Sequence, residues 1–153
     1  MRTLMIGALV ALSAAVLNAH VTVAPRESAP GISQRYAVRV PTEGQVATVA
    51  LDLEVPQNVT VTDIPMGDGF TVEARRDAGR IVVITWTREI KPRESAEFVF
   101  VATNPATAVE VMWKAHQRFA DGTSADWVGV QGDRRPAAVT RITATPTGAA
   151  QQH

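Results

Sequence analysis

Short segments of alternating apolar and polar residues, each ended by a turn signal, constrain this chain more than any other feature of its sequence. One such segment places Tyr36, Val38 and Val40 on one face and ends at Pro41. Alternation with a period of two is typical of a half-buried β-strand. Roughly eight to ten such segments recur at intervals of about a dozen residues, and none has a convincing helical period. The pattern predicts an all-β fold, an antiparallel immunoglobulin-like β-sandwich.

Two details of this pattern make specific predictions. Residues 70–76 and 80–87 flank Asp77-Ala78-Gly79, which predicts a hairpin with a short glycine-containing loop. From Val109 to Phe119 the alternation is continuous and predicts a single long strand with His116 on its polar face. Asp121-Gly122 then predicts a second hairpin turn.

The composition excludes several classes of partner. The chain has 153 residues and no cysteine, so neither disulfides nor thiolate metal sites are available. It carries 15 Lys+Arg and 15 Asp+Glu, and without residues 1–19, which contain Arg2 and no acid, 14 bases face 15 acids. The sequence therefore lacks the excess of basic residues that is typical of nucleic-acid-binding proteins. Beyond residue 19 no apolar run approaches the length of a membrane span.

The first residues have the layout of a secretory signal peptide. Arg2 supplies a positive start, a mostly apolar run extends from Leu4 to Leu17, and the small residue Ala19 precedes the first β pattern. This layout predicts export with cleavage after Ala19. The expected organisation is a leader over residues 1–19, a β-sandwich domain over 20–145 and a flexible tail over 146–153. The mature protein is therefore expected in the periplasm or outside the cell.

Cleavage after Ala19 would make His20 the first residue of the mature chain. A terminal histidine offers its α-amine and imidazole nitrogens to one metal ion, and such donors suit Cu(II). An ordinary surface histidine is the alternative. Glu43 lies in a turn that could return to the first strand, although an acid in a turn is more often solvated. From the residues alone, Trp127 is expected in the core, as are Trp86 and Trp113.

Catalytic patterns are lacking. The sequence contains no Gly-x-Ser-x-Gly elbow, His-Glu-x-x-His pair or phosphate-binding glycine loop. His116 is expected to be a solvated histidine, although a second histidine at the metal would change the site. The scattered carboxylates along the strands are not paired. We therefore expect a protein that is not an enzyme.

Several separated motifs resemble the YcnI-like family of exported bacterial domains. They are Ala19-His20-Val21-Thr22-Val23-x-Pro25, Tyr36-x-Val38-Arg39-Val40-Pro41-x-Glu43, Val83-Ile84-Thr85-Trp86-Thr87, Trp113-Lys114-Ala115-x-Gln117, Asp121-Gly122 and Trp127. The resemblance runs from about His20 to Ile142 in the right order. It implies copper handling, with Cu(II) held by a single-histidine brace. By position it implies His20, Glu43 and Trp127 as the metal-site residues.

The resemblance favours an exported carrier of Cu(II), acting as a chaperone or buffer in copper trafficking or homeostasis. A membrane copper importer or another copper protein is the partner class that such a role implies. The resemblance implies that many relatives continue into a carboxy-terminal membrane anchor, whereas none is expected from this sequence, which is given to His153. Two alternatives remain at this stage. One is a copper-dependent oxidase or monooxygenase with a two-histidine brace, and the other is a metal-free β-sandwich interaction module.

Overall fold

The computed structural model describes residues 20–144, and its regular structure is entirely β-strand. The predicted leader, residue 145 and the predicted tail over 146–153 lie outside the described residues. No helix capable of spanning a bilayer occurs between residues 20 and 144.

Twelve strands follow one another along the chain. The first six are β1 (Thr22–Ala24), β2 (Glu27–Ser28), β3 (Ser33–Pro41), β4 (Thr48–Glu54), β5 (Thr60–Asp63) and β6 (Thr71–Asp77). The others are β7 (Arg80–Ile90), β8 (Ser95–Thr103), β9 (Val109–Trp113), β10 (Ala115–Phe119), β11 (Ser124–Trp127) and β12 (Ala138–Ile142).

These strands form three sheets. A four-stranded sheet has the order β1-β3-β8-β5, a five-stranded sheet the order β11-β10-β4-β7-β6, and a three-stranded sheet the order β2-β12-β9. All neighbours are antiparallel except β2 and β12, which pair in parallel. The predicted all-β, antiparallel sandwich is confirmed. Both β1 and β11 are edge strands. The start of the described chain therefore lies at an edge of the four-stranded sheet.

Stacked aromatic rings join the sheets in the core. Trp86 on β7 stacks on Phe98 of β8 with ring centroids 5.3 Å apart and planes 9° from parallel. Phe100 packs edge-on against Trp113 of β9 with centroids 5.3 Å apart. Each large ring buries much apolar area, and offset or edge contacts add about 0.5–1.5 kcal/mol per pair. Trp86 and Trp113 are therefore core residues, as the sequence predicts.

Buried hydrogen bonds link three polar side chains beside this aromatic cluster. The Tyr36 hydroxyl donates to Asn104 Oδ1 at 2.5 Å, and Asn104 Nδ2 donates to Ser28 Oγ at 2.8 Å. Burial raises the pKa of Tyr36 to about 12. The phenol is therefore neutral at physiological pH and serves as a structural hydrogen-bond donor.

The hairpin predicted at residues 77–79 is present. β6 and β7 pair through Asp77 and Arg80, which leaves Ala78 and Gly79 as a two-residue loop. Both loop residues have positive φ, 48° and 79°. Two positive φ values are the signature of a type I′ turn, whose twist matches that of the flanking strands.

The single strand predicted from Val109 to Phe119 is wrong. The chain leaves one sheet at Trp113 and enters another at Ala115, so that β9 pairs with β12 and β10 pairs with β4 and β11. Alternating burial continues across the change, because Trp113 and Ala115 both face the core. Lys114 lies at the crossover, where its carbonyl accepts a hydrogen bond from the Glu54 amide. Alternation reports the buried face of a segment but not the identity of its partner strand.

Candidate metal centre

A cleft of about 550 Å³ opens beside the first described residues, the β3–β4 connection and the end of β11. His20, Glu43 and Trp127 all line this cleft, which we call the N-terminal cleft. The three residues come from distant parts of the sequence: His20 precedes β1, Glu43 follows β3, and Trp127 ends β11. The structure therefore brings together the three residues that the family resemblance implies.

His20 is placed by the strand that follows it. Val21 and Val23 are buried in the core, and Thr22 pairs with Arg39 on β3. These contacts fix β1 along the edge of the four-stranded sheet. The His20 ring then lies beside Trp127, with ring centroids 5.6 Å apart and planes inclined by 57°.

Glu43 lies on an exposed turn whose base is rigid. The Thr42 amide donates to the Glu94 carbonyl at 2.9 Å, and the Thr42 carbonyl accepts from the Arg93 amide at 2.7 Å. Inside the turn, the Thr42 and Thr48 hydroxyls are hydrogen-bonded at 2.6 Å. The backbone around Glu43 is thus anchored, while its carboxylate remains solvated and available to a ligand.

Trp127 is both a core residue and a wall of the cleft. Its side chain is only 8% exposed. The indole Nε1–H donates to Gln117 Oε1 at 3.1 Å. The core position predicted from the residues is therefore correct, and the same ring also borders the cleft.

Gln117 links the two sides of the cleft, and the sequence reasoning did not assign it a role. Besides accepting from Trp127, its amide donates to the Pro41 carbonyl at 2.9 Å and to Thr48 Oγ1 at 2.7 Å. It is 2% exposed. The available signal was its position, because a polar residue stands where the alternation of β10 requires a core-facing one.

His116 lies on the opposite face of β10 from Gln117 and does not line the N-terminal cleft. Its Nδ1 is 2.7 Å from Asp126 Oδ1, and its Nε2 is 2.8 Å from Glu54 Oε1. Burial lowers the pKa of His116, but the hydrogen bonds to Asp126 and Glu54 outweigh this effect, so its pKa is raised. With a carboxylate at each nitrogen, the ring is arranged as a doubly donating imidazolium.

Side-chain donors are sparse in this region. Within residues 20–144, no cluster of three or more His, Asp or Glu side chains is arranged to hold a metal ion. In the N-terminal cleft the titratable donors are His20 and Glu43. A metal held there therefore needs a further donor, and the α-amine of a chain beginning at His20 is one of suitable chemistry.

Two arginines that the sequence reasoning also missed complete the wall. Arg134 and Arg135 lie in the connection between β11 and β12 and are exposed along the cleft. Backbone hydrogen bonds shape this connection, since the Gly129 amide donates to the Arg135 carbonyl at 3.0 Å and the Ala137 amide to the Gly129 carbonyl at 2.9 Å. No sequence pattern marks such a loop as part of a site.

Residues 20–142 match the model of a family described as a domain of unknown function, DUF1775. The chain belongs to this family. A relative from Bacillus subtilis (strain 168), named copper-binding protein CutI, is 33% identical over 129 residues. That match covers 82% of this chain and 63% of CutI, so the chain spans less than two thirds of the relative. The resemblance to the YcnI-like family is thereby confirmed.

Solved structures support the fold. An uncharacterized protein from Nocardia farcinica, described as having an immunoglobulin-like fold, is similar with a TM-score of 0.66 and 26% identity. The match covers 81% of this chain and 98% of that one. A non-cellulosomal cohesin from Archaeoglobus fulgidus matches with a TM-score of 0.54 and 12% identity, over 88% of this chain and 97% of the cohesin. The cohesin likeness concerns the fold alone, and the predicted immunoglobulin-like sandwich is confirmed.

Proposed function

We propose that this chain is exported, is cut after Ala19, and binds one Cu(II) ion through a single-histidine brace at His20. The observation that carries the proposal is the shared cleft of His20, Glu43 and Trp127. The 33% identical relative named copper-binding protein CutI supports copper as the metal.

The donors fit this ion. The α-amine and imidazole of a terminal His20 would form a chelate ring, and the Glu43 carboxylate would offset part of the metal charge. Nitrogen and oxygen donors in a planar arrangement suit Cu(II). The amine must lose its proton to bind, so affinity falls as the pH drops below its ordinary pKa of about 7.7–8.0.

Trp127 supplies a wall rather than a donor. An indole face near a cation contributes roughly 0.5–2 kcal/mol. None of the described residues that line the N-terminal cleft carries sulfur. Because soft sulfur ligands favour Cu(I), this lining favours the cupric state.

A carrier role in copper trafficking or homeostasis fits better than oxygen chemistry. A two-histidine brace would need a second imidazole at the metal. The strongest candidate from the sequence, His116, is engaged by Glu54 and Asp126 on the opposite face of β10. We therefore propose a periplasmic or secreted chaperone or buffer that is not an enzyme, with a membrane copper importer or another copper protein as its partner.

The test uses protein that begins at His20, produced with a cleavable amino-terminal fusion and titrated with Cu(II) in a non-coordinating buffer. One equivalent should bind by calorimetry and by native mass spectrometry. His20→Ala should weaken binding by more than about 100-fold, because losing a ligand costs more than losing an outer-shell partner. A single alanine added before His20 should weaken it similarly, because the amine is displaced.

Three further measurements separate the alternatives. Glu43→Gln should lower the affinity by about tenfold, a smaller loss than that of His20. His116→Ala is the matched control and should leave the affinity unchanged. If the extended protein binds as tightly as the native terminus, the brace is wrong. If His20→Ala binds Cu(II) as tightly as the wild type, the metal is held elsewhere, and if the wild type binds no Cu(II), the metal-free interaction module becomes the better description.

A further inference from the structure

The N-terminal cleft is much larger than a metal ion needs. Its volume of about 550 Å³ compares with roughly 30 Å³ for one water molecule. It falls within the roughly 300–1,000 Å³ that is usual for small-molecule sites. Apolar side chains of Val46, Phe119 and Ala125 line part of it. The space beyond the ion is thus suited to a small organic ligand.

The charges around the cleft favour an anion. Arg134 and Arg135 line it, and neither guanidinium has a hydrogen-bond or ion-pair partner between residues 20 and 144. Among the described residues that line the cleft, Glu43 is the only acid. The neighbouring Asp133 carboxylate accepts a hydrogen bond from the Val130 amide at 3.1 Å. Two cations thus face one anion before any metal is bound.

Copper would increase this imbalance. With the amine and imidazole of His20 neutral, Cu(II) raises the excess from one positive charge to three. A brace plus the Glu43 carboxylate supplies three donors, whereas tetragonal Cu(II) takes four in its plane. Both the charge and the coordination of the ion are therefore incomplete within the described residues of the cleft.

We propose that the N-terminal cleft binds a small dicarboxylate together with copper. One carboxylate completes the plane of Cu(II), and the other pairs with Arg134 and Arg135. The planar fork of arginine matches the geometry of a carboxylate, and charge-assisted pairs of this type are the strong ones. Copper is then received or released as a carboxylate complex by ligand exchange, without a change of oxidation state. This inference rests on the proposed copper site.

The test uses malonate as the probe and protein that begins at His20. Copper binding is first measured without carboxylate, which tests the brace by itself. Malonate is then titrated into metal-free and copper-loaded protein, followed by NMR of the arginine side chains in the former and by the Cu(II) EPR spectrum in the latter. Malonate should bind the copper-loaded form at least about tenfold more tightly, the equivalent of one charge-assisted hydrogen bond.

Variants test the role of the arginines. Arg134→Ala combined with Arg135→Ala should weaken malonate binding to the copper-loaded protein by at least about tenfold, because the second carboxylate loses its charge-assisted hydrogen bonds, while copper affinity without malonate stays nearly unchanged. The matched control changes two exposed arginines, Arg75 and Arg76, to alanine on β6, the opposite edge strand of the five-stranded sheet. This control should bind malonate as tightly as the wild type.

The outcomes are distinguishable. If copper fails to bind without malonate, the brace is wrong. If copper binds and malonate leaves the EPR spectrum unchanged, or strips the metal from the protein, the carboxylate site is wrong and the brace stands. Equal malonate binding by the double variant and the wild type would also overturn the assignment of the arginines.

Discussion

Replacing Gln117 with leucine should weaken both the fold and the N-terminal cleft. The substitution replaces the amide with a slightly shorter apolar side chain and removes three hydrogen bonds, to Trp127, Pro41 and Thr48. Thr48 retains its partner Thr42, so the main loss falls on the buried Trp127 N–H and on the Pro41 carbonyl. Leaving a buried polar group unpaired costs about 1–3 kcal/mol.

The expected loss of unfolding free energy is roughly 2–4 kcal/mol, which for a domain of this size corresponds to a decrease in Tm of about 6–12 °C. The assay is chemical denaturation followed by tryptophan fluorescence, with calorimetry as a second measurement. Copper affinity should fall by less than the loss expected for Glu43→Gln, because Gln117 contacts Trp127, a wall of the cleft, and not a proposed metal donor. The control is Gln45→Leu, an exposed glutamine of the same cleft, which should change stability by less than about 0.5 kcal/mol.

A second variant tests whether the position needs a donor. In Gln117→Glu the ionised carboxylate can still accept from Trp127 but cannot donate to Pro41 or Thr48. Its folded-state pKa should therefore lie above its unfolded value of about 4.3. A raised folded-state pKa means that stability is complete below the unfolded pKa and is lost as the pH rises through the folded one. The variant should approach the wild type near pH 4 and fall behind it at pH 7.5. Equal stability of variant and wild type at pH 7.5 would refute the network.

Two other perturbations give simpler outcomes. Trp127→Phe keeps an aromatic wall but removes the hydrogen bond to Gln117, so Tm should fall by about 3 °C and copper affinity by less than the His20→Ala loss, as measured by calorimetry. His116, whose pKa is raised by Asp126 and Glu54, should titrate above 6.5 in an NMR experiment. The stabilising effect of His116 is complete below its unfolded-state pKa and is lost as the pH rises through its folded-state pKa. His116→Gln should therefore flatten the dependence of stability on pH above pH 6.5. An unchanged dependence would contradict the two hydrogen bonds to Asp126 and Glu54.

Much of the fold follows from local sequence signals. Alternation identifies the buried faces, and Gly79 marks the hairpin turn because glycine adopts positive φ without steric cost, whereas the positive φ of Ala78 is visible only in the structure. The change of sheet at Lys114 does not follow, because both halves of the segment keep the same buried face. Which strand pairs with which is decided by the packing of Trp113 and its neighbours in three dimensions.

The candidate site is predictable to different degrees. His20 follows from the layout of the predicted leader, whereas Glu43 and Trp127 are implied by the resemblance to a family. Gln117 could have been noticed as a polar residue on a core-facing position of β10. Arg134 and Arg135 lie in an irregular connection where apolar and polar residues do not alternate. Only the folded chain therefore shows that they lie at the cleft.

The cleft combines a rigid wall with solvated ligands. Gln117 joins Pro41 of the four-stranded sheet to Trp127 of the five-stranded sheet through buried hydrogen bonds, so this wall keeps its geometry without a metal. Glu43 is exposed and His20 is only half-buried, so both can exchange water for a metal ion at little structural cost. In the proposed role this division favours transfer, because copper can leave without disturbing the core. A closed structural metal site would instead couple metal release to unfolding, so removing copper should lower the Tm of this domain by no more than ligand linkage predicts.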